Sequence, residues 1–351
     1  MEKIGLVLGG GGAKGAYQIG SYIALRKYGI KPSIIAGTSI GSVNAAFFAQ
    51  GDVKKLIKLW QQTKTDIFGI DSNIINSIKQ NNITKKDLVK SIEDVKKILN
   101  NKGLDTTKFL QLLKENINED KLRKSKIKFG LTTVKAKGLK PIELTIDEIP
   151  YGKVAEYIMA SCYLPIFSQN KIIDDNYYLD GGFYNNIPLS LCEKYGCDTI
   201  YSIRIKGIGF SHNKLKKTTK VIEISPKENL GSIILFDKDT NEKNMRLGYL
   251  DTLKVLKKLD GNNYSFKPKK EKYYNKIVRK VPDNIMNKMK IKYFETNNKE
   301  LVIEVLESLL KKNKESNLKV RRISRTIKYF QKNDLIKDKT TKEFISYLKI
   351  F

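Results

Sequence analysis

The sequence is poor in the residues that build disulfide frameworks and zinc sites. Its 351 residues include three cysteines and one histidine. A small, odd number of cysteines in a long chain argues against a disulfide framework and suits a reducing compartment. With a single histidine and no Cys-x-x-Cys pair, a Cys/His zinc site is disfavoured. These residues are Cys162, Cys192, Cys197 and His212.

Long apolar segments are also scarce. The run Met1–Leu8 is too short for a signal peptide and leads directly into four glycines. The uncharged run Pro32–Gly51 is long enough to raise the question of a membrane span, but its proline, glycines and polar residues favour a buried strand, turn and helix. With neither a signal peptide nor a transmembrane helix predicted, we expect a cytoplasmic protein. Peripheral attachment to a membrane and export without a cleaved signal stay open.

Acidic residues are few relative to basic ones. Asp and Glu number 37 against 66 Lys and Arg, which gives a formal net charge of +29. Such a charge indicates negatively charged partners, namely anionic membranes, nucleic acid or acidic substrates. The codon bias of an AT-rich genome explains the same composition equally well. Because 40% of residues are hydrophobic, disorder throughout the chain is excluded.

The N-terminal part has the order strand, helix, strand, helix. Ile4–Leu8 and Ser33–Ala36 are short apolar runs typical of buried strands, and Lys14–Tyr28 and Ser42–Gln50 have helical spacing. This order predicts an α/β fold with a parallel sheet and functional sites at the carboxyl ends of its strands. Further strands are predicted at 126–134, 141–146, 199–205 and 221–224, a hairpin at 171–179, and helices at 151–161, 188–195 and 242–259.

Composition divides the chain into a main domain, an insertion and an extension. The main domain is predicted at 1–260. Within it, residues from about 52 to 125 are polar and Lys- and Asn-rich, and we interpret them as a helical insertion or lid. The helical patches of this insertion are 53–60, 87–99 and 107–113. Residues 261–351 are predicted to form a basic, mainly helical extension, with 24 Lys and Arg against 10 Asp and Glu.

A G-x-S-x-G motif spans residues 37–41, after the second predicted strand and before a helix. This is the context of a nucleophile elbow, in which Gly37 and Gly41 permit a tight turn that lifts the Ser39 hydroxyl above the sheet. The helix N-terminus favours negative charge that develops beside the serine. An ordinary glycine turn with Ser42 as the N-cap has the same sequence and stays an alternative.

A glycine-rich segment, GGGGAKG at 9–15, lies between the first strand and the first helix. A phosphate-binding P-loop does not fit, because Lys14 is followed by Gly15 rather than by Ser or Thr. A dinucleotide fingerprint lacks its ribose-binding acid, since the next acid after Glu2 is Asp52. Two interpretations remain. One is an oxyanion hole whose backbone N–H groups converge on a developing anion, and the other is a tight turn that packs helix on strand.

A third motif, DGGFYNNIP at 180–188, precedes a predicted helix. Its glycines, asparagines and proline make a rigid loop that presents the Asp180 carboxylate at one place. Taken alone, the motif is more typical of a surface turn, because Asp-Gly is a common turn dipeptide.

Together the three motifs resemble those of the patatin-like phospholipases. The order is the same, with a glycine-rich loop near the N-terminus, then a nucleophile elbow and a downstream Asp-Gly-Gly. The segment ASCYLPIF at 160–167 resembles a further block of that family. The resemblance covers residues 3–205 and extends more loosely to about 260. It implies a three-layer α/β/α fold with a mainly parallel central sheet.

The resemblance also implies a catalytic dyad. Ser39 would be the nucleophile and Asp180 would accept its proton directly. Neither a metal nor an organic cofactor is implied. The oxyanion hole would use backbone N–H groups of Gly10, Gly11 and Gly12, and the supporting motif glycines are Gly37, Gly41, Gly181 and Gly182. Gly9 and Lys14 stand where the family often has Asp and Arg, which bears on substrate orientation rather than on the dyad.

The substrate implied by the resemblance is a lipid acyl ester, such as a phospholipid or lysophospholipid, and the positive charge suits an anionic membrane surface. One alternative is a soluble esterase or thioesterase with the same chemistry. Another is a non-catalytic relative that binds membranes or nucleic acid through its charge. No nucleic-acid-binding motif is present, so we expect no specific nucleic-acid partner. The sequence does not fix an oligomeric state.

His212 and the segment 320–330 can each be interpreted in two ways, one functional and one purely structural. His212 follows Ser39 and Asp180 in the chain order of an α/β-hydrolase triad, but its polar basic loop favours a solvated residue. Residues 320–330 space apolar side chains helically between basic ones. Such a helix either lies in a membrane interface or packs on its domain with the charges in water, and we favour packing.

Overall fold

The computed structural model describes residues 2–68, 103–168 and 170–350. The chain divides into two compact units, Met1–Tyr249 and Leu250–Phe351, and each is described by itself. The boundary predicted at residue 260 lies a short way past this division. The helical patch predicted at 87–99 lies outside the described residues.

A seven-stranded sheet forms the centre of the first unit. Its strands are β1 (Ile4–Leu8), β2 (Ile34–Thr38), β3 (Lys128–Lys135), β4 (Lys140–Thr145), β5 (Tyr178–Asp180), β6 (Thr199–Ile203) and β7 (Lys220–Ile224). The main path has the order β4-β3-β2-β1-β6-β7, and β5 pairs with β3. Only β4 and β5 are antiparallel to their neighbour in this sheet. The predicted α/β/α fold with a mainly parallel central sheet is confirmed.

Helices pack against this sheet or against one another. They are α1 (Ala16–Lys27), α2 (Ile40–Ala49), α3 (Val53–Gln62), α4 (Thr107–Asn116), α5 (Glu119–Arg123), α6 (Val154–Ser161), α7 (Leu189–Lys194) and α8 (Lys238–Val255). Every residue of α2 is buried, as expected for a helix with so few polar positions, and α2 packs against β1, β2 and β3. Val7, Ile34 and Ala36 share a core cluster with Leu189 and Leu191 of α7.

Strand β3 is where two of the motif loops meet. One edge of β3 pairs with β4 along Gly130–Lys135, and the opposite edge pairs with β2 as far as Thr38 against Thr132. From the next residue on, that opposite edge pairs with β5, with Thr133 against Asp180. The carboxyl ends of β2 and β5 therefore meet on one edge of β3.

Most predicted elements agree with the observed ones to within a few residues. The hairpin predicted at 171–179 is reduced to an isolated bridge between Ile173 and Asn176, because the strand that follows pairs with β3 instead. The first helix begins with a 3-10 turn over Gly12–Gly15, so the glycine-rich loop itself winds into the helix.

The second unit is mainly helical. Its elements are β8 (Ser265–Phe266), α9 (Glu271–Val278), α10 (Asp283–Tyr293), α11 (Asn298–Lys312), β9 (Val320–Arg321), α12 (Ile323–Lys332) and α13 (Lys339–Tyr347). Ile323, Ile327 and Phe330 of α12 lie in a core to which all five helices contribute. The helix predicted at 320–330 therefore begins only at Ile323, and its apolar face is buried within its own unit, whereas Val320 lies in β9 and is exposed. In the described ranges, no helix has both the length and the apolar composition that crossing a bilayer requires.

Candidate active site

Ser39 occupies a strained turn between β2 and α2. Its backbone has φ 55° and ψ −132°, a region that costs a non-glycine residue about 1–3 kcal/mol. The flanking glycines make the turn possible by close approach. A Cβ on Gly37 would lie 2.2 Å from the carbonyl oxygen of Gly41, and a Cβ on Gly41 would lie 2.2 Å from that of Leu8. The elbow geometry predicted from the motif is present.

Hydrogen bonds hold this strained serine in place. The Ser39 N–H donates to Ser161 Oγ at 2.9 Å, and Ser161 Oγ donates to the Thr132 carbonyl at 2.7 Å. Ser42 Oγ donates to the Ser39 carbonyl at 2.7 Å. Ser42 thus binds the carbonyl of Ser39 rather than capping the helix through a side-chain bond. Because the N–H and the carbonyl of Ser39 are both hydrogen-bonded, the backbone from which its hydroxyl projects is held in place.

Asp180 lies beside the elbow at the end of β5. Gly182 N–H donates to Oδ1 at 2.7 Å, whereas Oδ2 is buried without a hydrogen-bond partner among the described residues. Burial raises the pKa of Asp180 to about 6, and the nearby Ser39 hydroxyl and the Gly182 N–H partly oppose that rise. Among the described residues, no hydrogen bond of standard geometry joins Ser39 to Asp180 Oδ2. The arrangement suits a general base with one free oxygen.

The glycine-rich loop borders the serine on its other side. A Cβ on Gly10 would lie 3.2 Å from Ser39 Cβ. The Gly10 N–H donates to the side-chain and backbone oxygens of Asn186, at 3.1 and 3.2 Å. The N–H groups of Gly11 and Gly12 donate to no acceptor within the described ranges. Of the three predicted oxyanion donors, Gly11 and Gly12 are thus unoccupied, and Gly10 is already engaged.

Asn186 is a residue of this site that sequence reasoning did not single out. Besides binding the Gly10 N–H, its Nδ2 lies 3.5 Å from the Gly10 carbonyl. It therefore ties the glycine-rich loop to the Asp-Gly-Gly loop. Its position within the third motif was the available signal, but a spacing pattern does not reveal which backbone group an amide will bind.

An apolar cavity opens beside Ser39. Its volume is about 40 Å³. The lining residues come from the elbow, from the segments near residues 104 and 164 and from the loop before α8. They are Gly12, Ser39, Ile40, Leu104, Phe109, Cys162, Leu164, Ile166, Phe167, Ile233, Ile234 and Phe236. Part of this lining comes from the elbow and from the segment 160–167, whereas Leu104, Phe109 and the loop residues 233–236 belong to no motif, so sequence analysis gave no reason to place those at the site.

Cys162 lies beside both Ser39 and Asp180. Its thiol is buried near Ser39, Ser42 and Asp180, and burial together with the Asp180 charge holds the pKa of Cys162 well above its ordinary value. A thiol that stays protonated is a poor nucleophile. Cys162 therefore fills space beside the serine.

His212 does not join the site. It is exposed, stacks on the Tyr184 ring with centroids 5.2 Å apart, and places Nδ1 2.6 Å from the Tyr184 carbonyl. The preferred interpretation of a solvated loop residue fits this position. Lys14, in contrast, is largely buried in the glycine-rich loop and donates to the Lys206 carbonyl at 3.4 Å.

Comparisons with known proteins agree with this architecture. A family model of patatin-like phospholipases matches residues 6–192. The chain is 26% identical over 214 residues to Lysophospholipase NTE1 of Meyerozyma guilliermondii, covering 59% of this chain and 13% of that protein. It is 26% identical over 213 residues to Patatin-like phospholipase domain-containing protein 7 of Rattus norvegicus, covering 58% of this chain and 14% of that protein. The chain thus spans a small part of the length of these relatives.

Among solved structures, VipD from Legionella pneumophila aligns with 98% of this chain and 83% of its own, at 16% identity and a TM-score of 0.41. The type III effector protein ExoU aligns with 98% of this chain and 71% of its own, at 13% identity and a TM-score of 0.37. The family match rests on more than half of the residues, from the first strand to helix α7. The chain belongs to the patatin-like phospholipase family.

Proposed function

We propose that this protein is a lipid acyl hydrolase of the phospholipase A or lysophospholipase type, with Ser39 as nucleophile and Asp180 as base. One observation carries the proposal. The strained Ser39 and the desolvated Asp180, which has one oxygen without a partner among the described residues, are brought together because Thr38 and Asp180 pair with consecutive residues of β3. The strained backbone of Ser39 and the buried carboxylate of Asp180 both lower the stability of the fold. Such destabilising features are typical of reactive sites.

The mechanism follows from the groups at this edge. Ser39 Oγ attacks the ester carbonyl while Asp180 accepts the hydroxyl proton. The N–H groups of Gly11 and Gly12 stabilise the oxyanion, and each such donor lowers a barrier by about 2.7–4 kcal/mol. Asp180 then returns the proton to the leaving alcohol. Water, deprotonated by Asp180, releases the acyl group from Ser39 and restores the hydroxyl.

The apolar cavity beside Ser39 supports the proposal that the acyl group of the substrate is a fatty acyl chain. Its walls are almost wholly apolar, and a second apolar cavity of about 40 Å³ lies next to it, between α2, α3 and α4. The two share Ile40, Phe109 and Phe236 in their walls. Since each holds only a few carbon atoms, an acyl chain would occupy both after the shared side chains rotate.

An exposed apolar rim beside the site supports a membrane as the place where substrate is met. The rim consists of Phe183, Ile208 and Phe210, whose exposed fractions are 44%, 49% and 62%. Its loop lies on the site, because Phe210 N–H donates to the Gly182 carbonyl at 2.9 Å and a Cβ on Gly207 would touch Gly10. Four lysines flank it, Lys206, Lys214, Lys216 and Lys217. Apolar side chains bordered by lysines suit an anionic lipid surface.

The test is release of free fatty acid from vesicles of mixed anionic and neutral phospholipid, with a soluble ester assayed in parallel. Ser39→Ala and Asp180→Asn should each lose at least about 10³-fold in rate. His212→Ala, which changes the third residue of the rejected triad, should keep wild-type activity. Release that survives Ser39→Ala would refute the mechanism. Activity on the soluble ester alone would favour the soluble esterase instead.

A further inference from the structure

The second unit contains a groove lined by basic side chains. Its volume is about 450 Å³, which is within the range of small-ligand sites. The cations come from the end of β8, from β9 and the residue before it, and from the start of α12. They are Lys267, Lys319, Arg321, Arg322 and Arg325. Glu315 is the one carboxylate among the lining residues, so the lining has a formal charge of +4.

Most of this charge has no acidic partner in the described part of the chain. Arg321 pairs with Glu315, with Nη2 3.0 Å from Oε2, and also donates to the Ser316 carbonyl at 2.9 Å. The other four cations form no ion pair with any described residue. Gathering like charges around a concave surface is unfavourable unless an anion neutralises them. The groove is therefore a place where an anion would be stabilised.

Further donors face the same region. Helix α12 begins at Ile323 with no side-chain cap from Arg322 and no acid in its first turn. The N–H groups of that turn have no acceptor within the helix and favour negative charge. In addition, the Nε of Arg321 is buried without an acceptor among the described residues. These N–H groups supply hydrogen-bond donors with defined directions, in addition to the positive charge of the groove.

We propose that this groove binds a phosphomonoester group, carried by a lipid headgroup or by a small free phosphate. The guanidinium fork matches phosphate oxygens in pairs, and the formal charge of +4 favours a dianion over a singly charged diester. The enclosed volume suits a headgroup or a small molecule rather than a long polymer. Binding of phosphate in this groove does not depend on the ester hydrolysis proposed above.

The experiment uses the full-length protein with Ser39→Ala, so that lipid is not consumed. Binding of glycerol 3-phosphate, a soluble phosphomonoester, is measured by calorimetry. Vesicle binding is measured by co-sedimentation with phosphatidylcholine that contains either phosphatidic acid, a monoester, or phosphatidylglycerol, a diester. We expect phosphatidic acid to be preferred at least fivefold. Arg322→Glu/Arg325→Glu should weaken binding to it at least tenfold, and Arg322→Gln/Arg325→Gln should give a smaller loss.

The matched control is Lys328→Glu/Lys332→Glu, which makes the same change of charge at exposed positions of α12 outside the groove. It should weaken binding less than threefold. Binding of glycerol 3-phosphate would identify a small phosphomonoester as a sufficient ligand, and binding of vesicles alone would identify a lipid headgroup. Equal losses in both charge variants would overturn the proposal. So would the absence of any preference for the monoester, or tighter binding to single-stranded RNA than to either phosphate probe.

Discussion

The two units present hydrogen-bond donors and charge in different ways. In the first, the candidate site depends on backbone geometry, with a strained Ser39, the N–H groups of Gly11 and Gly12, and one desolvated carboxylate. In the second, the groove depends on exposed lysine and arginine side chains. A substitution that disturbs the backbone displaces several of these groups together. Each exposed charge, in contrast, contributes only a small part of the attraction for an anion, and salt screens that part. Changes in the first unit should therefore act abruptly, and changes in the second gradually.

The largest expected effect separates a glycine that the site needs from one that it does not. Gly12 has φ 55°, and a Cβ there would lie 1.9 Å from the Ile233 carbonyl oxygen. Gly12→Ala should displace the oxyanion donors and lower kcat/KM about 10²–10³-fold. Gly29 also has positive φ, 83°, but a Cβ there meets nothing within 4 Å. Gly29→Ala should cost about 1–2 kcal/mol of stability and leave kcat/KM unchanged.

Chemical denaturation gives the stability of both variants, and soluble-ester hydrolysis gives their activity. Equal activity losses for Gly12→Ala and Gly29→Ala would show that backbone strain alone, rather than donor placement, explains the first result.

A second expected effect is a pH dependence of kcat/KM that is set by the buried carboxylate of Asp180. Asp180 must be ionised to accept a proton, and its pKa is raised to about 6 by burial. Below that pH the protonated form dominates, so kcat/KM should fall about tenfold per pH unit, while above pH 7 it should be level. The pH profile of soluble-ester hydrolysis measures this limb. A limb near pH 4, the ordinary range of an aspartate, would contradict the desolvation described here.

A third effect compares exposed apolar side chains in the two units. Ile208→Ser/Phe210→Ser changes the rim, and the ratio of vesicle hydrolysis to soluble-ester hydrolysis should fall about tenfold because apolar contact with lipid is lost. Ile291 and Phe294 of the second unit are even more exposed, at 73% and 92%. Ile291→Ser/Phe294→Ser should leave that ratio unchanged. If the control pair lowers the ratio as much as the rim pair, the rim has no special role.

The smallest expected effect concerns the wall between the two apolar cavities. Phe109 is buried and contributes to both linings. Phe109→Ala would join the cavities and should shift the preferred acyl chain by a few carbons, with a change of about threefold between short and long esters. A series of esters of increasing chain length measures the shift. An unchanged preference would place the acyl chain elsewhere.

Sequence alone predicted the turns that form much of this candidate site, because those turns lie in local motifs. The elbow around Ser39 and the carboxylate of Asp180 each follow a short strand, and the spacing of glycines signals such turns directly. Their meeting on β3 could not be derived from spacing, since it depends on strand register. Nor could the engagement of the Gly10 N–H by Asn186, which is a contact across 176 positions.

Hydrophobic periodicity also could not show what the apolar face at 320–330 contacts, and only the packing of the second unit does. The apolar face at 320–330 has the same pattern whether it faces lipid or protein. The structure buries Ile323, Ile327 and Phe330 in the core of the second unit. The exposed apolar side chains that suit a membrane instead lie in a loop beside the site, where alternation and helical spacing give no signal.

The central claim is that Ser39 is the nucleophile and Asp180 its base. The most direct measurement is covalent labelling by a fluorophosphonate, followed by intact mass and peptide mapping across a range of pH. One adduct on Ser39 is predicted. It should be absent in Ser39→Ala, form at least a hundredfold more slowly in Asp180→Asn, and slow in the wild type below pH 6. An adduct that persists in Ser39→Ala, or a labelling rate that Asp180→Asn does not change, would contradict the account.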